Sequence, residues 1–452
     1  MASVRRTAVL LAAAALLGGP AAVPAAADPV GRTTALADGD AADGVLLSLG
    51  SVLLLTGAAA ATVHRRRPGG PAGPRRPGPR RGGLRRSGGR GWLSGGMSTP
   101  PAPFRVGLIG YGLAGSAFHA PLIATTPGLR LDAVVTANPD RRAQLHRDHP
   151  GARALDNPDQ LFEDADRFDL VVIASPNRTH VPLARTALLA GLATVVDKPL
   201  AATSAEARDL CEFAEKSGLL LSVFQNRRWD GDFLTARRLI EEGRLGRVHR
   251  FESRFERFRP KPKPGWRELA DPAEVGGTLY DLGSHLVDQA LALFGPVETV
   301  YAEIDVRRDG AVVDDDAFLA LTHSGGVRSQ LWTSALAPLA GPRLRVLGDS
   351  AGYVKFGMDP QEAALRAGRR PGPAATHWGD DDPAAYGLLG ADGDAEPVPT
   401  DPGDYPAYYA GITASLAEHT PPPVDPRDAV ATLAVLEAAR ASAATAKVVR
   451  LP

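Results

Sequence analysis

Thiols and an excess of charge of either sign are what this chain lacks. Among 452 residues there is one cysteine, Cys211. A single thiol excludes an internal disulfide and any multi-thiolate metal centre, and no other metal-ligand pattern is apparent. Cys211 lies in ARDLCEFAEKSG, where apolar and charged residues interleave as on an amphipathic helix, so it reads as a small buried side chain. Lys and Arg number 51, and Asp and Glu also number 51. With no net field to gather nucleic acid or an anionic membrane, the expected partner is a small molecule.

What is present divides by composition. Residues 1–103 follow a different logic from the rest. Met1 to Ala27 pairs Arg5 and Arg6 with an Ala/Leu run and PAAAD, the layout of a secretory signal with a hint of twin-arginine export. Gly44 to Val63 is apolar over a bilayer's span and runs into Arg65, Arg66 and Arg67, which the positive-inside rule places in the cytoplasm. Pro68 to Gly96 is Gly, Pro and Arg with little to bury, the composition of a disordered basic linker. Met97 then opens a fresh polar lead-in, MSTPPAP. The expectation is that Met97 is the working start, that the upstream segment is an extension foreign to the folded protein, and that the folded part needs no membrane and works in the cytoplasm.

The folded part opens on FRVGLIGYGLAG, where a strand-like run ends in Gly110, Gly112 and Gly115. Glycines at this spacing let the chain turn sharply and bring backbone N–H groups close to a pyrophosphate, with Leu113 and Ala114 between them in the cradle. In a chain with 49 glycines the spacing also arises by chance, so its context carries the argument. Strand-then-helix units do follow it. The second strand, LRLDAVVTA, ends at Thr136, Ala137 and Asn138, where many dinucleotide folds place a carboxylate for the ribose hydroxyls. Here the carboxylate is missing, and Arg141 and Arg142 follow. Small polar groups and guanidinium suit a 2′-phosphate, which points to NADP(H) with NAD as the lesser possibility; alternatively the arginines only solvate a helix start. FDLVVIASPN is a strand apolar enough for burial on both faces and stops at Ser175, Pro176 and Asn177, with His180 one turn on. ATVVDKPL delivers Asp197, Lys198 and Pro199 at its carboxyl end, the side on which open α/β sheets bind ligands. These readings define a Rossmann dinucleotide-binding domain over residues 104–225.

Residues 226–452 read as an α+β domain. Arg247–Arg259, Glu298–Val306, Ala317–Thr322, Val327–Ser334 and Arg343–Leu347 alternate apolar with polar, as half-exposed antiparallel strands do, so a large open, mostly antiparallel sheet is expected. Its exposed face would serve oligomerisation, as a homodimer or homotetramer. Gly368 to Pro402 is rich in Gly, Pro and Asp and reads as a surface excursion, and Asp425–Lys447 as an alanine-rich helix packing back across the domains. One further helix, Leu279–Phe294, stands apart. Leu282, Leu286 and Leu293 form its buried stripe, while Asp281, His285 and Asp288 share a neighbouring face at i, i+4 and i+7, where they could meet one ligand. Arg227, Arg228, Trp229 and Asp230 offer donors, an acceptor and an apolar plate to a polyhydroxylated ring; the alternative is a solvated turn with a packing tryptophan.

The set GYGLAG, ASPNRTH and DKP, in this order, resembles the Gfo/Idh/MocA family of sugar and polyol oxidoreductases. The likeness continues through NRRWDGDFLTARRLIEEGRLG, GGTLYDLGSHLVDQALALFG and VKFGMDPQEAALRAGRRPG and is similar to the NADP-dependent scyllo-inositol 2-dehydrogenase branch, including FHAPLI. Asp197 departs from the commoner Glu before the lysine. The resemblance implies Lys198, Asp281 and His285 at the catalytic positions, a polyol or sugar substrate, and oligomers built through the open sheet. Oxidation of a secondary alcohol also requires a base near neutral pKa. His285 oriented by Asp281 suits that task, and Lys198 suits holding the hydroxyl. Which of the two takes the first proton stays open. So do an aldose as substrate, a glycosidase that uses nicotinamide transiently, and a sugar-sensing regulator without chemistry.

Overall fold

The computed structural model describes residues 102–263 and 265–452. The signal-like run, the apolar span and the basic linker all lie outside them. Among the described residues no helix is long and apolar enough to cross a membrane.

Strand β1 (Phe104–Ile109) enters a π-helical turn, Ala114–His119, that continues as the short helix α1 (Ala120–Thr125). Next come β2 (Leu129–Val135), α2 (Pro139–Asp148), β3 (Arg153–Leu155), α3 (Pro158–Glu163), β4 (Leu170–Ile173), α4 (His180–Leu189), β5 (Ala193–Asp197), α5 (Ser204–Ser217) and β6 (Leu221–Phe224). Local signals set these ends. In α5 the Thr203 hydroxyl accepts from Glu206 N–H at 3.2 Å while the Glu206 carboxylate accepts from Thr203 N–H at 3.1 Å, a reciprocal cap that satisfies two otherwise orphaned donors. The helix ends at Gly218 in the left-handed conformation. The six strands are parallel in the order β3-β2-β1-β4-β5-β6. Every residue of β4 is buried, as a central parallel strand covered on both faces requires. Strand order reverses direction between β1 and β4, and the crevice outside their carboxyl ends is where such sheets take ligands.

The second half comprises α6 (Gly231–Glu241), β7 (Val248–Glu256), a π-helical turn Leu279–Gly283 running into α7 (Ser284–Phe294), β8 (Val297–Asp305), β9 (Asp316–His323), β10 (Arg328–Ser334), β11 (Leu344–Gly348), β12 (Gly352–Lys355), α8 (Gln361–Arg366), β13 (Gly387–Gly390), β14 (Glu396–Val398), α9 (Pro406–Glu418), α10 (Pro426–Thr445) and β15 (Val449–Arg450). Nine strands form one sheet ordered β14-β13-β12-β11-β7-β10-β9-β8-β15, antiparallel throughout except where β10 runs parallel to β7. The expected open, mostly antiparallel sheet is therefore present, and together with the parallel sheet it gives the α/β architecture. Alternation is strict in β9: Ala317, Leu319 and Leu321 point inward, and Phe318 and Ala320 are half-exposed. On the outer face Phe318 meets Trp332 of β10 at 5.1 Å between ring centroids, and the Arg254 guanidinium lies 3.9 Å from the Trp332 ring.

One expectation is corrected here. Gly368–Pro402 is not only a surface excursion, because β13 and β14 within it extend the sheet beyond β12. Their short lengths and, in β13, glycines at both ends left only Leu389 to mark a buried face. α10 does link the two halves. Glu437 accepts from the Ser204 N–H and hydroxyl at 2.6 Å each, and the Ser442 hydroxyl accepts from Ala302 N–H of β8 at 3.0 Å.

Candidate active site

The glycine loop has the shape of a cradle. Gly110 has φ of +102°, and a Cβ there would collide with the Ala174 carbonyl; a Cβ at Gly115 would collide with the Gly110 carbonyl. Around a Cβ at Gly112 there is nothing within 4 Å, so the loop's open side lies there, flanked by half-exposed Ala114 and exposed Leu113. The loop after β4 lies across the switch point. Ser175 Oγ is 2.6 Å from Thr179 Oγ1, and Pro176 leads into a short turn. Asn177 is buried, its amide donating to the Glu274 carbonyl at 2.8 Å, so it ties the two halves together. His180 is fully enclosed, with Nδ1 2.7 Å from the Pro199 carbonyl and Nε2 3.0 Å from that of Ser175. It braces the loop from beneath rather than facing the crevice. At the end of β2 Thr136 is buried, and its carbonyl accepts from Arg142 at 2.9 Å. Arg142 also pairs with Asp156. Ala137 and Asn138 are exposed, and the Asn138 side chain caps α2 through Arg141 N–H at 3.0 Å. The Arg141 side chain is exposed, with no hydrogen-bond or ion-pair partner among the described residues. A dinucleotide thus fits the first sheet: open backbone at Gly112, and an uncommitted cation, Arg141, just past the end of β2.

Lys198 ends β5 and reaches across to the π-helical turn. Its Nζ donates to the Asp281 carbonyl at 2.6 Å and to Asp281 Oδ1 at 3.0 Å. Arg267 donates to the same carboxylate oxygen at 3.1 Å. Burial alone would raise the Asp281 pKa, but the charges and hydrogen bonds of Lys198 and Arg267 outweigh it and hold this carboxyl well below the usual range. His285 lies on the next turn, buried, stacked on Phe255 at 6.4 Å. Its Nδ1 is buried with no hydrogen-bond partner. Burial first, then the positive charges of Lys198 and Arg227, push the imidazole well below its ordinary value, with Asp281 opposing them. Lys198, Asp281 and His285 line one cavity of about 300 Å³, together with Leu113 and Ala114 of the glycine loop.

Three expectations about this site need correction. Asp281 forms no hydrogen bond with His285; it holds Lys198 instead, because Leu279–Gly283 is wound as a π-turn and the i, i+4 face of a regular α-helix is not kept there. Asp288 turns away and accepts from Arg228 at 2.6 and 2.8 Å. Trp229 does not line the cavity: its indole packs edge-on against Tyr408 at 5.6 Å, and its carbonyl accepts from Gln361 at 3.0 Å, which fixes the turn as structure. The aromatic lining is Phe118, Phe224 and Phe255. Arg227 does face the cavity, yet it is tied to Asp230 at 3.3 Å and to Glu362. The sequence reading missed Arg257 and Arg259, which line the same cavity. A signal existed: Phe255, Arg257 and Arg259 alternate along one extended segment, which puts all three on one face.

This constellation, a dinucleotide cradle with a lysine at the carboxyl end of β5 and a histidine on a helix of the second half, defines an NAD(P)-dependent oxidoreductase. Residues 104–225 match the model of an oxidoreductase family with an NAD-binding Rossmann fold, and residues 233–354 match the GFO/IDH/MocA C-terminal domain. The chain belongs to the Gfo/Idh/MocA family. It is 44% identical over 314 residues to the uncharacterized oxidoreductase YdgJ of Escherichia coli K12, covering 69% of this chain and 88% of that protein. It is 36% identical over 351 residues to scyllo-inositol 2-dehydrogenase (NADP(+)) IolW of Bacillus subtilis 168, covering 77% and 96%. Among solved structures, an oxidoreductase from Bacillus cereus superposes with a TM-score of 0.68 at 29% identity, covering 77% of this chain and 99% of that one.

Proposed function

We propose that this protein oxidises a secondary alcohol of a cyclitol or sugar to the ketone with NADP, in the cytoplasm, and that scyllo-inositol is the first substrate to test. The observation that carries this reading is the Lys198–Asp281 pair beside unpartnered His285 in a cavity that begins at the glycine loop. A bound nicotinamide supplies the hydride acceptor. Lys198, aimed by Asp281, donates to the substrate oxygen and stabilises negative charge as it develops there. His285, neutral at physiological pH because burial and neighbouring cations depress its pKa, accepts the hydroxyl proton. Exposed Ala137 in the usual carboxylate position, with Arg141 uncommitted beside it, favours NADP over NAD. The name of the Bacillus subtilis relative is what singles out scyllo-inositol. The half-exposed apolar face around Phe318 and Trp332 supports assembly as a homodimer or homotetramer.

The test is NADPH formation across inositol isomers and aldoses with purified protein. Turnover of at least one of them with NADP is expected. Binding of a polyol without net cofactor reduction would favour a glycosidase or sensor and overturn the reading.

A further inference from the structure

The cavity holds more positive charge than its own carboxylates neutralise. Each of the three carboxylates is committed. Asp281 is held by Lys198 and Arg267, and Glu362 by Arg227 and, at 3.5 Å, Arg366. Asp197 accepts from the Lys198 backbone at 2.8 Å, with His119 Nε2 at 3.9 Å. Arg257 and Arg259 line the same space, and neither side chain has a hydrogen-bond or ion-pair partner among the described residues. Arg257 is the telling one. It is half-buried, its guanidinium 4.6 Å from the centre of the Phe255 ring, and Phe255 is the ring on which His285 stacks. Burial and the charge of Arg259 pull its pKa down to about 10, so it stays a cation at neutral pH but an incompletely solvated one. An unpaired, partly desolvated guanidinium is costly unless something else completes it. The cofactor's diphosphate is not that group, because the glycine cradle serves it, whereas Arg257 packs on the same Phe255 ring as His285.

We propose that the preferred substrate is an anionic polyol, bearing a carboxylate or a phosphate ester, and that Arg257 binds this anion beside the reacting carbinol while Arg259 draws it in. The inference rests on the reading of the protein as an NADP-linked polyol dehydrogenase and narrows it: a neutral cyclitol would be the weaker substrate. A carboxylate matches the fork of one guanidinium with two parallel hydrogen bonds, and a phosphate ester engages the same fork with oxygens to spare for Arg259.

The test uses matched pairs, gluconate against sorbitol, glucuronate against glucose, and myo-inositol 1-phosphate against myo-inositol. Binding to the enzyme–NADP complex is followed by calorimetry and turnover by NADPH formation. At least one anionic member is expected to bind about tenfold or more tightly than its neutral partner, the scale of one charge-assisted contact, and whether the acids or the phosphate win identifies the source of the anion. Raising the salt concentration should shrink that ratio. Arg257→Gln should collapse it and Arg257→Lys restore part of it, with NADPH binding by fluorescence reporting that both variants are folded. Equal or weaker binding of every anionic member overturns the inference, whatever the turnover. Anion-selective binding with no NADPH formed from any member leaves this inference standing and overturns the dehydrogenase reading.

Discussion

Asp281→Asn isolates the part of the site that the π-turn creates. The carboxylate accepts from Lys198 Nζ at 3.0 Å and from Arg267 Nε at 3.1 Å. A hydrogen bond to a charged group contributes about 1.5–3 kcal/mol, and the amide still offers one neutral acceptor, so the net loss of Lys198 positioning should be about 1–3 kcal/mol. If that positioning serves the transition state, kcat falls by roughly 10- to 100-fold. The pH dependence supplies a second readout with a definite sign. Asp281 raises the His285 pKa against burial and the two cations, so removing its charge lowers that pKa further. The acid limb of kcat/KM for alcohol oxidation should move to lower pH. Stability gives a third. The Asp281 carboxyl is depressed in the native state, so its stabilisation is complete above the unfolded carboxylate pKa of about 3.9 and is lost as pH falls through the native value. Wild type should therefore melt above Asp281→Asn at neutral pH, and the gap should narrow in strong acid. The assays are a pH series of NADPH formation and a matching series of thermal melts. An unchanged kcat, or an acid limb displaced to higher pH, would refute the assignment of Asp281 as the group that aims Lys198 and supports the His285 charge.

Two further outcomes follow from the cofactor cradle and the open sheet. Ala137→Asp puts a carboxylate where a 2′-phosphate would lie; the ratio of kcat/KM for NADP over NAD should fall by about tenfold or more, as measured in parallel titrations of the two cofactors. Trp332→Glu places a charge on the outer sheet face, against Phe318 and Arg254, and should reduce the mass measured by light scattering to that of the monomer while leaving the NADPH affinity of the monomer intact.

Most of the parallel sheet was legible because its strands carry a nearly continuous apolar run, interrupted in FRVGLI and FDLVVIA only by Arg105 and Asp169; the three-residue β3 was too short to carry one. In the second half β7 to β11 were legible from alternation, whereas β12 to β14 were not. The buried face of β12 carries Lys355 beside Tyr353, and that of β13 carries Gly387 beside Leu389, so neither reads as an apolar alternation. At the site, Lys198 and His285 were legible by type and position. The partner of Asp281 was not, since it depends on one π-turn that no local residue preference announces. Trp229 misled for the opposite reason: a tryptophan beside two arginines looks like a sugar platform, yet the aromatic wall of Tyr408 and Tyr409 offered its ring a drier place. Arg257 escaped notice because a cation at the end of an exposed strand reads as solvated until the neighbouring carboxylates are seen to be spoken for.

The central claim is that Lys198 and His285 act together on one carbinol, and the most direct measurement is single-turnover NADPH formation by wild type, Lys198→Ala and His285→Ala, with cofactor affinity measured in the same samples by NADPH fluorescence. Each variant should lose about two orders of magnitude or more in rate, the scale of lost general acid–base or oxyanion assistance. His285→Ala should retain NADPH binding because the glycine cradle is untouched. A near-normal rate in His285→Ala would contradict the account and return His285 to the role of a packed core histidine.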